Sequence, residues 1–196
     1  NRGHEVVLID QEAQGLDSEK IVEIGLEVNP RLMAISVYGQ QPSASTQNMT
    51  MAGEICSKFH LNAPHLKTIM IGGHPSALPA ETLENNDVDF VCQGEGVETL
   101  GVLLNIKDLL DETQLAKVPG LWYKVSGNSV FTFSAQVVPE KNLPKTLPGV
   151  AWDLLPMDEY RAHNWHCFDH IDKRQPYASI YTSLGCPYRC NFCCIN

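Results

Sequence analysis

An α/β fold built on a parallel sheet is the architecture this sequence predicts, and two observations predict it. Through the first half of the chain, short apolar segments alternate with stretches of helical period. The apolar segments are near-continuous rather than alternating inward and outward, which is the pattern of strands covered by helices on both faces. At 196 residues the chain can bury one good core with a small appendage.

The elements follow in order. HEVVLID, from His4 to Asp10, is the first apolar run. The NRG before it reads as the last turn of a helix closed by Gly3. HEVVLID is therefore expected to be the second strand of the sheet, with the first strand and most of the first helix cut away. DSEKIVEIGLEVNP places Ile21, Ile24 and Val28 at helical spacing and stops at Asn29 and Pro30. RLMAISVY (Arg31 to Tyr38) reads as another buried strand, and the polar GQQPSAST leads to a helix over about Ser45 to Phe59. KTIMIGG (Lys67 to Gly73) is the next strand, and a helix is expected after Pro79, with Ala80, Glu81 and Thr82 in its first turn. DVDFVCQG (Asp87 to Gly94) is a further strand and VETLGVLLNIKDLL an amphipathic helix. Connections between such strands are right-handed crossovers, and ligands bind beyond the carboxyl ends of the strands. The loops after Asp10, Tyr38, Ile71 and Cys92 are thus the ones to watch.

After about Leu115 the pattern changes. LWYKV and SVFTF flank SGN and read as a β-hairpin. From Ser134 to Pro176 the chain is rich in Pro, His and charge with weak periodicity, as an interdomain linker would be. YASIYTS then reads as the first strand of something new. The expected division is residues 1–115, an α/β domain; 116–176, hairpin and linker; and 177–196, the start of a second domain. There are no internal repeats.

Composition excludes several classes of function. A net charge of −9 with no basic stripe argues against a nucleic-acid surface. No run of eighteen or more apolar residues suggests a transmembrane span. Hydrophobic content of 43% and charged content of 19% are ordinary for a globular protein. Seven cysteines, four of them packed into the last fourteen residues SLGCPYRCNFCCIN, do not resemble a disulfide framework. The polar start NRGHEVVLID does not read as a signal peptide. A reduced, cytoplasmic protein is expected, seen as a fragment.

Cys186, Cys190 and Cys193 are spaced C-x3-C-x2-C directly after the YASIYTS segment. Thiolates so close in sequence can converge on one soft metal centre. A zinc site would want a fourth ligand, typically from a distant pair; three ligands with an open position suit an iron–sulfur cluster. A zinc knuckle or a chance cluster is the plain alternative. LGCPYRCNFC resembles the signature of the radical S-adenosylmethionine enzymes. In that family three cysteines hold a [4Fe–4S] cluster whose unligated iron chelates S-adenosylmethionine, and an aromatic residue, here Phe192, precedes the third cysteine. The resemblance implies that a (β/α) barrel begins at YASIYTS and is truncated here. Cys194 matches no ligand position and is read as a packed thiol.

The front sheet resembles the cobalamin-binding domain, of Rossmann-like (flavodoxin-like) fold, that precedes the radical barrel in one branch of this family. RGHEVVLID, AISVYGQQPSAST, IMIGGHPSALPAE and DFVCQGEGVETL carry the likeness. Each places small or flexible residues at the carboxyl end of a strand, and Gly94 and Gly96 precede a helix whose N-terminus offers amide donors. The resemblance implies that Ser36, Tyr38, Gly39, Gly72, Gly73, His74, Gly94 and Glu95 surround the corrin's lower face and nucleotide tail. His74 is either a cobalt ligand or a histidine hydrogen-bonded within its loop; the second is favoured. Asp10, Glu12 and Gly15 imitate the D-x-H-x-x-G of cobalamin mutases with Glu in place of His. Because that motif follows a first strand, the match is read as coincidence, an exposed turn with a helix cap.

HNWHCFDH, with His163, His166, Cys167 and His170, has spacing that could assemble a metal site but lacks the glycine-bounded turns of a zinc knuckle. Trp152, Trp165 and Phe168 are expected at an interface between domains, and Cys56 and Cys92 as buried inert thiols.

The resemblance implies an enzyme that reductively cleaves S-adenosylmethionine to a 5′-deoxyadenosyl radical for methylation or rearrangement at an unactivated carbon, with the fragment itself inactive. Its implied partners are a small-molecule or lipid-like substrate and a reductant such as flavodoxin or ferredoxin. Two rivals stand beside it: a radical enzyme whose front domain has lost cobalamin, and a non-enzymatic cobalamin or iron–sulfur carrier or sensor.

Overall fold

The computed structural model describes residues 3–39, 42–134, 149–162, 170, 173, 175–180, 188, 190 and 191. The chain divides into two compact units, one of residues 1–5 and 17–148, the other of residues 6–16 and 149–196.

The first unit holds a five-stranded sheet. Its elements are α1 (Ser18–Val28), β1 (Leu32–Val37), α2 (Pro42–Asn62), β2 (Lys67–Gly72), α3 (Gly73–Ala77), α4 (Pro79–Asn85), β3 (Phe90–Cys92), α5 (Val97–Leu103), α6 (Glu112–Leu115), β4 (Leu121–Val125) and β5 (Asn128–Phe131). The strands lie in the order β1-β2-β3-β4-β5. β1, β2 and β3 run parallel, with Ser36 opposite Ile71 and Met70 opposite Val91. β4 turns antiparallel to β3, pairing Leu121 with Cys92, and β5 antiparallel to β4. The hairpin therefore continues the sheet. Its turn fits its sequence, since Ser126 (φ 50°) and Gly127 (φ 82°) are both left-handed, as a two-residue hairpin turn requires.

The strands are apolar on both sides because the sheet separates two cores. One face packs Ile35, Val37, Met70, Val91 and Trp122 against α2 and α4 residues such as Ala52, Cys56 and Leu83. The other packs Ile69, Ile71, Phe90 and Cys92 against Leu103, Ile106, Leu109, Leu115 and Val118. That second cover reaches β1 only at Leu32, leaving Ala34 and Ser36 exposed. β1 is thus covered on its second face only at its start, not throughout as its composition suggests.

Helix boundaries follow local chemistry. Asp17 caps α1 by accepting the Lys20 N–H at 2.8 Å, and Asn29 closes it in the left-handed conformation. Pro79 opens α4 as expected. The helix expected over residues 97–110 ends at Leu103. There Asn105 Nδ2 donates to the Gly101 carbonyl, and Asp108 Oδ1 accepts the Leu110 N–H, so Ile106 and Leu109 reach the core from turns.

Two strand expectations are corrected. Residues 4–10 form no strand: no ladder partner lies beside them among the described residues, and Val6, Val7 and Leu8 are exposed. Nor is a strand formed over residues 177–180. In the second unit the turn at residues 10–15 is closed by Asp10 Oδ1 accepting the Ala13 N–H at 3.0 Å. The Tyr160 hydroxyl donates to Asp10 Oδ2 at 2.5 Å. Burial and the Asp10 carboxylate push that hydroxyl up to about 12. Trp152 lies exposed in a 3-10 turn.

Candidate functional site

β1, β2 and β3 end side by side at Val37, Gly72 and Cys92, so their three loops gather at one edge of the sheet. The first turns of α2 tie two of them together. The Ser45 hydroxyl, buried, donates to the Val37 carbonyl and accepts the His74 N–H at 2.9 Å. Thr46 Oγ1 lies 3.0 Å from His74 Nδ1, and Asn48 Nδ2 donates to the Tyr38 carbonyl at 2.6 Å. The second and third loops are joined by the Gly94 N–H, which donates to Ser76 Oγ at 2.8 Å. Donors and acceptors that would otherwise be orphaned at the strand ends are thus satisfied within the edge itself.

Bare backbone lines this edge. Gly72 has φ 150°, and a Cβ there would stand 2.1 Å from the Val37 carbonyl oxygen, so β1 and β2 approach at a distance only glycine allows. Gly94, at φ 107°, has the opposite surroundings: nothing lies within 4 Å of where its Cβ would be. Tyr38, Gly39, Gly73 and Glu95 are exposed beside them, and Ser36 lies on the uncovered face of β1. The edge is open, small-residued and held in place before any ligand arrives.

All eight residues singled out in the sequence lie at this edge: Ser36, Tyr38, Gly39 and Gly72 at the ends of β1 and β2, Gly73 and His74 in the first turn of α3, and Gly94 and Glu95 in the loop after β3. Sequence reasoning missed the residues that hold them: Ser45, Thr46, Asn48 and Ser76. The available signal was the run of hydroxyls in PSAST, placed where a helix starts at the carboxyl edge of a sheet. His74 is hydrogen-bonded within the edge through both its backbone N–H and its ring.

Residues 1–104 match the B12 binding domain. The chain belongs to the B12-binding domain family. Over 97% of its length it is 29% identical to an uncharacterized methyltransferase of Pyrococcus horikoshii, matching 37% of that protein. Over 97% of its length it is also 26% identical to the anaerobic magnesium-protoporphyrin IX monomethyl ester cyclase of Synechocystis sp., matching 34% of it. The chain spans about a third of the length of these curated relatives. Among solved structures it is similar to the cobalamin-dependent S-adenosylmethionine radical enzyme OxsB with aqua-cobalamin and S-adenosylmethionine bound. The TM-score is 0.51 at 25% identity, covering 66% of this chain and 17% of that one.

On the geometry above the B12-binding domain's edge leaves room for a corrinoid at Gly94, where nothing lies within 4 Å of a would-be Cβ, and beside exposed Ser36, with its loops already hydrogen-bonded. The Asp10, Glu12 and Gly15 imitation of a cobalt-ligating motif sits in the turn of the second unit, and the helix cap is Asp17. Of the cysteine motif, Cys190 is exposed, while Cys186 and Cys193 lie outside the described residues, as do Phe192 and Cys194. His163, Trp165, His166, Cys167 and Phe168 lie outside them too. Among the described residues no group of three or more His, Cys, Asp or Glu could hold a metal. No helix among them is long and apolar enough to cross a membrane. Cys56 and Cys92 are buried in the core, where loss of solvent pushes the Cys56 thiol up to about 12 and raises that of Cys92. Both are inert packing residues.

Proposed function

We propose that this chain is the cobalamin-receiving and cluster-bearing portion of a radical S-adenosylmethionine enzyme. The observation that carries the reading is the carboxyl edge of β1, β2 and β3, pre-organised by Ser45 and open at Gly94, in a chain whose tail carries C-x3-C-x2-C. Ser36, Tyr38, Gly39, Gly72, Gly73, His74, Gly94 and Glu95 would receive the corrinoid. Cys186, Cys190 and Cys193 would hold a [4Fe–4S] cluster, which would supply the electron for cleaving S-adenosylmethionine. When bound, these cofactors supply reductive cleavage of S-adenosylmethionine and radical chemistry at an unactivated carbon, with methylation the favoured outcome.

The chain's own residues bind and orient. Ser45 holds the ends of β1 and β2 in register, so the face presented to the cofactor does not reorganise on binding. Thr46 and the His74 ring hold one another within the edge through Nδ1, which fixes the orientation of the imidazole. The open backbone at Gly94 would let a bulky ligand come close. The substrate is a small or lipid-like molecule, the reductant a flavodoxin or ferredoxin, and the setting cytoplasmic.

Elemental analysis of the intact protein, purified without oxygen from cells supplied with cobalamin, tests this reading. About one cobalt and about four irons per chain are expected. Iron without cobalt would withdraw the cobalamin reading and leave the front sheet a scaffold. Cobalt without iron would point instead to a corrinoid carrier or sensor.

A further inference from the structure

The β4–β5 hairpin lies beyond the residues that match the B12 binding domain, yet it grips the third loop of the carboxyl edge. The Gln93 N–H donates to the Gly120 carbonyl at 2.8 Å, and the Trp122 indole N–H donates to Gln93 Oε1 at 2.9 Å. Trp122 stacks on Phe131 of β5, with ring centroids 5.0 Å apart and planes 23° from parallel, so its N–H is aimed in a fixed direction. Just past the loop, the Thr99 hydroxyl donates to the Pro119 carbonyl at 2.7 Å in full burial. From the other side Ser76 takes the Gly94 N–H. Residues 93–96 are held between α3 and the hairpin.

The loop needs holding. Gly94 (φ 107°) and Gly96 (φ 80°) lie in conformations that glycine leaves as freely as it enters. Gln93 is exposed, and a single hydrogen bond at such a site contributes little to global stability. What it does is remove conformers of a loop that must meet a ligand, which lowers the ordering cost of binding. We propose that Trp122, acting through Gln93, is a positioning residue of the corrinoid site, so that the hairpin is a working part of it. This rests on the cobalamin reading above.

The test is equilibrium dialysis of the intact protein against aquacobalamin, read by absorbance, alongside thermal unfolding. Trp122→Phe keeps the stack on Phe131 and deletes the donor, while Gln93→Ala deletes the acceptor at an exposed position. Each is expected to raise Kd about fivefold, the worth of one neutral hydrogen bond. The double variant is expected to bind no worse than either single one, with Tm within about 3 °C of wild type. Unchanged Kd in Gln93→Ala, or losses that add in the double variant, overturns the proposal, and Gln93→Ala decides alone if Trp122→Phe folds poorly. Wild-type protein that takes up no aquacobalamin removes the cobalamin reading and this inference together. Wild-type binding that both variants share unchanged removes only the inference.

Discussion

Two glycines on the same edge of the sheet do different work, and substitution separates them. Gly72 is required by the fold: a methyl there meets the Val37 carbonyl oxygen in a backbone conformation that L residues rarely adopt. Gly72→Ala is expected to lower stability by about 2–4 kcal/mol, combining strain and overpacking, measured by denaturant unfolding. Gly94→Ala meets open space and is expected to cost only about 1 kcal/mol, while reducing aquacobalamin affinity if the proposed corrinoid site is correct, because its methyl would project into that site. The position of the eight residues at the carboxyl edge was legible through the resemblance carried by AISVYGQQPSAST, IMIGGHPSALPAE and DFVCQGEGVETL, each of which follows an apolar run. Ser45 was not. A serine in a helix start reads as a cap, and only the fold shows that its hydroxyl bridges the Val37 carbonyl and the His74 N–H across two strands.

At the level of elements, the join between β2 and β3 is short, with only Ile69–Phe90 and Met70–Val91 in register. Asp89 reinforces it from the side. Its Oδ2 accepts both the backbone N–H (2.9 Å) and the hydroxyl (3.0 Å) of Thr68, and its Oδ1 pairs with Lys67 Nζ at 2.6 Å. Asp89→Ala leaves a buried Thr68 donor without its acceptor and is expected to cost about 2 kcal/mol. Asp89→Asn, which keeps one acceptor, is expected to cost less, and urea midpoints of the two variants check the order. The parallel strands, α1 and the start of α4 were readable because period, caps and Pro79 agree. The apolar run at residues 4–10 misled because composition reports what a segment could bury, not whether a neighbouring strand is there to pair with it. The run from Val97 onward misled differently: Ile106 and Leu109 keep helical spacing, yet they reach the core through turns set by Asn105 and Asp108.

For the whole molecule, the proposed cofactors fall on separate stretches of chain, so their loss should be separable. Replacing Cys186, Cys190 and Cys193 together by Ala is expected to abolish iron binding in the intact protein while cobalt stays near one per chain, by elemental analysis. Loss of both metals would mean that cobalamin retention depends on the cluster. The hairpin carries a different lesson, about modularity. A cut after residue 104, where the family match ends, would strip Ile106, Leu109, Leu115, Val118, Leu121 and Tyr123 from the core they share with Ile69, Ile71 and Phe90. It would also turn β3, the most completely buried strand, into a naked sheet edge beside an uncovered apolar face. Such an edge recruits strands from other copies. Anyone transplanting this domain into another protein should carry the chain through Phe133, whose carbonyl accepts the Gly120 N–H, because a shorter graft is an aggregation seed rather than a smaller binding domain.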